Sequence, residues 1–460
     1  MKLRKFKTLM LAGVTAMSLQ ATKVDALLAG VKTTGMAATS VSHPIDAFAG
    51  AYNPASITNL PDRIDLGVSW VQTHQGAMVR DLPTNYLIPP GVPPSFFDGY
   101  RDGAKTPNTY VPEFGVNMGW FRGSCAFGRP VEYATSLILY NRNDLKTTYG
   151  KAFELFGTTP TGLDYIHETG AFVLAAKFDN MHSIGVAINY NIQRLKLDGL
   201  ESFDLPSFTD APGKTTNRGY DYSHGVGCMI GYLLEIDNIK FGIGWQPKTK
   251  MGDFDKYSGF IADFGKFDIP MRYTAGISYR FLCNLTVAFD YEFIKWKGIP
   301  ELQNKTFPNL ANNLLGSPNG AGFGWRNQNY FRLGFEYVMN KCFTLRAGFR
   351  HASSPITPKW TAVNILTLDC MENVVTFGAT WNFNPWHEFS FFYAAGMQKK
   401  IRGNGSIPAT IPQPNAQGQK VSLPINFNID TGGVGNGEID LKQRRSALGI
   451  AWGWKFYHKE

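Results

Sequence analysis

From about residue 62 the chain alternates apolar and polar residues in segments of about 10–15 residues. Residues 272–281 show it best: Tyr273, Ala275, Ile277, Tyr279 and Phe281 share one parity, and Arg272, Thr274, Gly276, Ser278 and Arg280 the other. Leu285, Val287, Phe289, Tyr291 and Phe293 likewise oppose Thr286, Asp290 and Glu292. Phe331, Leu333, Phe335 and Tyr337 oppose Arg332, Gly334 and Glu336; Phe343, Leu345, Ala347 and Phe349 oppose Thr344, Arg346, Gly348 and Arg350. A period of two predicts strands with one apolar face. The connections alternate in length. Short turns are expected near 123–130, 179–182, 235–238, 282–284, 339–342 and 384–388, and long polar ones near 80–109, 147–168, 196–220, 250–270, 298–325, 352–370 and 399–442. Fourteen strands fit between them, starting near residues 62, 110, 131, 169, 183, 221, 239, 271, 285, 326, 342, 371, 388 and 443.

Alternation alone also fits a soluble antiparallel sheet. Three features favour a membrane. The apolar face turns aromatic at strand ends, with Trp70, Trp120, Trp245, Trp381 and Trp454 placed like an interfacial girdle. The other face carries Arg, Asp and Glu deep within strands, where a packed sandwich core would reject unpaired charge. Short turns alternating with long loops are the asymmetry of outer-membrane barrels. The expected fold is all-β: a transmembrane antiparallel β-barrel of about 14 strands, multi-pass in a bacterial outer membrane, with both termini on the periplasmic side.

Composition agrees. Charged residues make up 18% and aromatic residues 14%, against about 25% charged in ordinary soluble domains. The first residues predict export. Lys2, Arg4, Lys5 and Lys7 precede a short apolar run from Leu9 to Leu19, and Val24-Asp25-Ala26 offers a cleavage site. Residues 1–26 are therefore expected to be a signal peptide. Without their five basic residues and one acid, the formal charge of +9 falls to +5. No basic run interleaved with aromatics points to nucleic acid. The chain ends Phe456-Tyr457-His458-Lys459-Glu460, which leaves the boundary of the last strand open.

Two stretches break the pattern. Residues 27–61 do not alternate and are rich in Ala, Gly, Ser and Thr. They read as an N-terminal hatch, or plug, inside the lumen, with a disordered periplasmic leader as the alternative. The barrel then comprises 62–460. The third strand, 131–142, is apolar on both parities from Leu137 to Tyr140 and is preceded by Gly128 and Pro130. Ordinary degeneracy explains this; so does a kinked or bulged strand, because Pro and bulges interrupt ladder pairing.

A family resemblance enters on particular residues. Gly35, Ala37, Asp46, Ala47 and Asn53-Pro54-Ala55, followed by Leu60 and Arg63-Ile64-Asp65-Leu66-Gly67, resemble the hatch and first strand of FadL-type outer-membrane transporters. Ala288-Phe289-Asp290-Tyr291-Glu292, Trp296, Gly324-Trp325-Arg326-Asn327-Gln328, Leu333-Gly334-Phe335-Glu336-Tyr337, Thr344-Leu345-Arg346-Ala347-Gly348-Phe349 and Ser354-Pro355-Ile356 continue it. The resemblance implies a fourteen-stranded barrel plugged by a small hatch, importing long-chain fatty acids or toluene-like hydrocarbons. It also implies lateral ligand release beside a kinked third strand, which makes Gly128, Pro130, Leu137 and Ile138 candidates for the side gate.

The chemistry follows from that reading. An amphipathic acid needs an apolar sleeve and a cation, because an unpaired buried anion costs several kcal/mol. By parity the lumen-facing candidates are Arg272, Arg280, Arg332, Arg346 and Arg350; the competing reading pairs them with Asp290, Glu292 and Glu336 across strands. Leu87, Ile88, Phe96, Phe97, Phe203, Leu205 and Phe208 could form an outer apolar groove. Asn53 and Pro54 fit a turn leaving the hatch. Neither Gly-x-Ser-x-Gly nor histidines at metal-ligand spacing occur, so no enzyme, metal or cofactor is implied. Cys125, Cys283 and Cys342 fall in expected periplasmic turns, either as incidental thiols or as disulfide links to an envelope partner. The expected function is passive uptake of a hydrophobic molecule, a long-chain fatty acid first among candidates, with outer-membrane lipid as surroundings. A general diffusion porin and a structural or adhesive surface barrel are the alternatives.

Overall fold

The computed structural model describes residues 29–80, 99–102, 109–126, 129–152, 156–406, 410–414, 420–424, 427–428, 433–434 and 438–456. The expected signal peptide lies outside them. Fourteen long strands run in chain order: β1 (Asp62–Arg80), β2 (Thr109–Ala126), β3 (Arg129–Thr148), β4 (Gly162–Phe178), β5 (His182–Asp198), β6 (Asp221–Ile236) and β7 (Ile239–Gln246). They continue with β8 (Met271–Leu282), β9 (Leu285–Lys295), β10 (Gln328–Val338), β11 (Phe343–Ala352), β12 (Asn373–Asn382), β13 (His387–Gly396) and β14 (Glu438–Phe456). Each pairs antiparallel with the next, and β14 pairs with β1 from Asp62↔Phe456 to Arg80↔Glu438, closing the barrel. Two short strands, Gly99–Asp102 and Lys399–Ile401, extend the sheet beside β1 and β14.

Twelve of the fourteen strands start within two residues of the positions expected from alternation. The exceptions are β4, which starts seven residues earlier, and β14, which starts five earlier. Both reasons are burial. Gly162–His167 is buried on both parities, and so are Ile439, Asp440 and Leu441. These strand ends rise into the loop layer, which covers both faces, so period two disappears where the strand continues. A transmembrane strand needs only about 9–11 residues; β1 to β6 and β14 carry 16 to 20.

Across the barrel wall the outward parity is apolar and exposed, as at Phe172, Ile188, Ile277, Phe289, Leu333, Leu345, Phe377 and Ile450. An aqueous surface would not tolerate so continuous an apolar band; a bilayer requires it. Trp245, Trp381 and Trp454 are exposed on that face, and Trp454 meets Phe456 at a tilt with ring centroids 4.2 Å apart. Trp70 is half-buried, and the Trp120 side chain lies outside the described residues. No helix among the described residues is long and apolar enough to cross a membrane.

The inward parity meets residues 29–60, which are almost wholly buried. This segment holds one helical turn, Val31–Thr34, and two 3-10 turns, Ala47–Ala51 and Pro54–Asn59. Small wall residues let it approach. Gly378 faces Gly35 so closely that an added β-carbon would lie 2.9 Å from the Gly35 Cα, and one at Gly348 would lie 2.7 Å from the Ala37 nitrogen. Added β-carbons at Gly185, Gly231, Gly242 and Gly334 would collide with Pro54, Asn53, Val41 and Thr39 respectively. Gly185 pairs with Gly231, Gly231 with Gly244, Gly242 with Gly276 and Gly334 with Gly348, so glycines form a belt around much of the wall.

Candidate functional site

The buried polar groups facing the lumen divide by partner. Four wall carboxylates grip the N-terminal segment. Asp290 of β9 accepts the amides of Ser40 (2.8 Å) and Val41 (2.9 Å). Asp65 of β1 accepts that of Ala47 (2.7 Å), and Glu113 of β2 that of Gly30 (2.9 Å). Glu388 of β13 pairs with Lys32 (2.8 Å), Arg63 (2.6 Å) and Lys455 (2.6 Å). Hydrogen bonds with an ionised partner contribute about 1.5–3 kcal/mol each, and they add to the burial of Met36, Val41, Phe48, Tyr52 and Ile57 against the wall. Asn53 has extended backbone and caps the 3-10 turn, its Oδ1 accepting the Ala55 amide (3.1 Å). Its Nδ2 donates to the carbonyls of Val41 (2.9 Å) and of Tyr232 on β6 (3.0 Å), tying the turn to the wall. Pro54 and Ala55 are fully buried beside it.

The five arginines chosen by parity separate. Arg272, Arg332, Arg346 and Arg350 are buried; Arg280 is exposed at the short-turn end of β8, away from the others. Arg272 and Arg332 share Glu292, the first at 3.3 Å, and Arg272 also donates to the Ala51 carbonyl (3.0 Å). Arg346 pairs with Glu336 (2.7 Å), which also meets His43 (3.1 Å). Arg350 lies over the Tyr330 ring at 5.6 Å. Three of the five therefore serve wall pairing, and Arg272 serves the N-terminal segment as well. Asp290 holds the segment's backbone.

Above that segment is a cavity of about 60 Å³. Its walls are mainly apolar, with Leu145, Tyr165, Phe267, Ile294, Trp296 and Trp325 among them, and its polar part is Arg142, Asn143, His167, Arg272 and the carboxylates Asp268, Glu292 and Asp369. It is closed down, since a dry cavity that admits benzene measures about 150 Å³. Arg142 is the residue that sequence reasoning missed. It lies on β3, is buried, and donates through Nη2 to Gln246; its Nη1 has no partner, and no carboxylate lies in salt-bridge reach of it among the described residues. The reason it escaped is a bulge. Asn141 pairs with Glu168 and Asn143 with His167, so Arg142 is the extra residue and parity counting fails at that point.

β3 is irregular in two places. Besides the bulge at Arg142, its pairing with β2 slips between Trp120↔Tyr133 and Ser124↔Val131, near the short-turn end. Its apolar character on both parities has a packing cause: Ile138 and Tyr140 face inward onto a cluster with Phe48 and Ile57, while Leu137 faces outward and pairs with Phe172. Gly128 lies outside the described residues; Pro130 is described only as a backbone partner of Cys125. In the loop layer Phe203 packs on Phe156 (5.5 Å) and Phe208 (6.1 Å), and Leu205 is exposed. Leu87, Ile88, Phe96 and Phe97 lie outside the described residues. Cys283 and Cys342 are exposed, unbridged thiols in short turns, and the Cys125 side chain is not described.

Residues 166–422, more than half of the chain, match the family described as outer membrane protein transport protein (OMPP1/FadL/TodX). The chain belongs to this family. It is an outer-membrane β-barrel of the FadL/TodX class, a family of channels for hydrophobic substrates and not of enzymes. Solved relatives share the fold at low identity. The Pseudomonas putida toluene transporter TodX is 13% identical with a TM-score of 0.62, covering 95% of this chain and 100% of its own. A Pseudomonas aeruginosa FadL homologue is 15% identical with a TM-score of 0.60, over 95% and 100%. The Ralstonia pickettii toluene transporter TbuX is 14% identical with a TM-score of 0.57, over 93% and 98%. A search of curated proteins finds no match. At these identities the FadL/TodX relatives speak for the barrel, and the ligand has to be argued from the lumen.

Proposed function

We propose that this FadL/TodX-family barrel takes up long-chain fatty acids, with residues 29–61 as its hatch. The carrying observation is Arg142, a buried guanidinium on a mainly apolar cavity, left without a salt-bridging carboxylate among the described residues, while Glu292 and Asp268 on the same lining are held by Arg272, Arg332 and Lys248. Leaving a buried polar group unsatisfied costs about 1–3 kcal/mol, more for a charged one, so such a residue is suited to a ligand anion that completes it. An arginine fork grips a carboxylate through two parallel hydrogen bonds. Tyr165, Phe267, Ile294 and Trp296 would sheathe the adjoining chain. An alkane would gain nothing from Arg142, and an aromatic hydrocarbon only a cation–π contact, weaker than a charged, bidentate hydrogen-bonded pair. Because the cavity is small, ligand entry requires the loop-layer side chains above it to part. Release is passive: the ligand leaves sideways where β2 and β3 lose register, with Leu137 and Ile138 on the flanking strand. No cofactor or energy source enters this scheme.

The test is selectivity. Arg142→Met keeps the length and apolar stem of the side chain and removes its charge. Oleate uptake by cells carrying this variant should need about 10- to 100-fold more ligand, the equivalent of a charged hydrogen-bonded pair, while toluene, which can lose only a cation–π contact, should be affected far less. Equal losses for both ligands, or none for oleate, would discard the fatty-acid reading and favour the aromatic hydrocarbons carried by TodX and TbuX.

A further inference from the structure

A second unpartnered polar group lies outside the lumen. Glu301 belongs to the helical turn Pro300–Gln303 in the loop between β9 and β10. It is 1% exposed. Its Oε2 accepts the Ala262 amide (2.7 Å), and its Oε1 has no partner. The cavity it lines, about 40 Å³, is otherwise walled by mainly apolar side chains, among them Phe156, Phe203, Phe260, Leu315 and Leu366. Among the described residues that line it, none is a cation. The acids nearest along the packed loops are engaged elsewhere, Glu201 with Asn217 and Thr159, and Asp263 with Lys266 (3.1 Å). A carboxylate cannot stay ionised in such a place without a countercharge, because desolvation penalises the charged form. Burial pushes the Glu301 carboxyl well above the usual range, opposed only by the Ala262 amide.

We propose that Glu301 stands as a neutral carboxylic acid whose hydroxyl, on Oε1, donates a hydrogen bond to an acceptor oxygen on an apolar ligand entering the loop layer. The amide contact fixes which oxygen is which: Oε2 accepts from Ala262, so the proton sits on Oε1, the atom left without a partner. Glu301 is then a specificity residue that favours chains ending in a carbonyl or carboxyl oxygen over bare hydrocarbons and over amines. The next residue, Leu302, lines the lumen cavity, so the same turn separates the two spaces. This assignment does not depend on Arg142.

The experiment uses the full-length protein in lipid nanodiscs with three probes of equal chain length: methyl decyl ketone, dodecane and dodecylamine. Wild type should bind the ketone about 3- to 10-fold more tightly than the alkane, the range of one net neutral hydrogen bond. Glu301→Gln should keep that preference, since its amide both accepts from Ala262 and donates to the ketone. Glu301→Leu should lose it while remaining a heat-modifiable barrel. Infrared spectra at neutral pH should show a protonated-carboxyl band that disappears in Glu301→Gln. Arg142→Met should leave the ketone preference intact. Tighter binding of dodecylamine than ketone, equal binding of ketone and dodecane by wild type, or no protonated-carboxyl band attributable to Glu301 would overturn the assignment.

Discussion

Glu292→Leu is expected to cost the barrel about 3–5 kcal/mol, the usual penalty for stranding a buried charge. Glu292 is the shared anion of Arg272 and Arg332, and all three side chains are nearly inaccessible to water. Removing it leaves two guanidiniums on the strands that flank β9, with Arg142 on the same cavity. The pair itself contributes little net stability, because desolvation of both partners offsets their attraction; the loss comes from the partners left behind. The double variant Glu292→Leu/Arg332→Leu should therefore recover part of the loss, Arg272 remaining stranded, and adding Arg272→Leu should recover most of the rest. Heat-modifiability on gels would read both. A double variant as unstable as the single one would show that packing around Glu292, not its charge, holds the site.

The second large effect is on permeability. In Gly231→Leu/Gly242→Leu the new side chains fall where Asn53, Pro54 and the Val41 carbonyl now sit. Overpacking costs about 1–3 kcal/mol per site, and displacement of Asn53 also breaks its bonds to Val41 and Tyr232. The turn 53–59 should detach while the strands, paired outside this contact, stay closed. Liposomes bearing the variant should swell quickly in sugar solution, and those bearing wild type slowly. A heat-modifiable variant that remains sugar-tight would mean that residues 29–61 are not what closes the lumen. Rapid swelling with the wild type would instead favour a general diffusion porin.

Most of the barrel wall is legible in the alternation of side chains alone. Period two marks a strand wherever one face meets lipid and the other meets the lumen, so β5 to β9 start within one residue of the positions read from sequence. The reading weakens where that contrast weakens. At Gly162–His167 both faces are covered, and the strand hides in what reads as a loop. The lumen site is less legible. Parity places an arginine inward without saying whether a carboxylate already waits there, as Glu292 does for Arg272 and Arg332, and it says nothing of height along the barrel, which separates Arg280 from the rest. Arg142 is hidden by the bulge that turns it inward. Glu301 sits in an irregular loop, where no period exists to count.

The glycine belt bears on how the molecule is made. Backbone meets backbone between Gly378 and Gly35, and Asn53, Val41 and Thr39 occupy the places of missing side chains on the wall. Such a fit has no axial clearance, so a finished barrel could not be threaded afterwards. The N-terminal segment leads directly into β1, and the β1–β14 seam joins the first and last strands of the barrel. Assembly should thus be a wrapping process, with the wall laid around residues 29–60 and the seam closing last. A barrel lacking these residues should not take them up when they are supplied later as a separate peptide, and recovery of a sugar-tight state by such addition would refute that order.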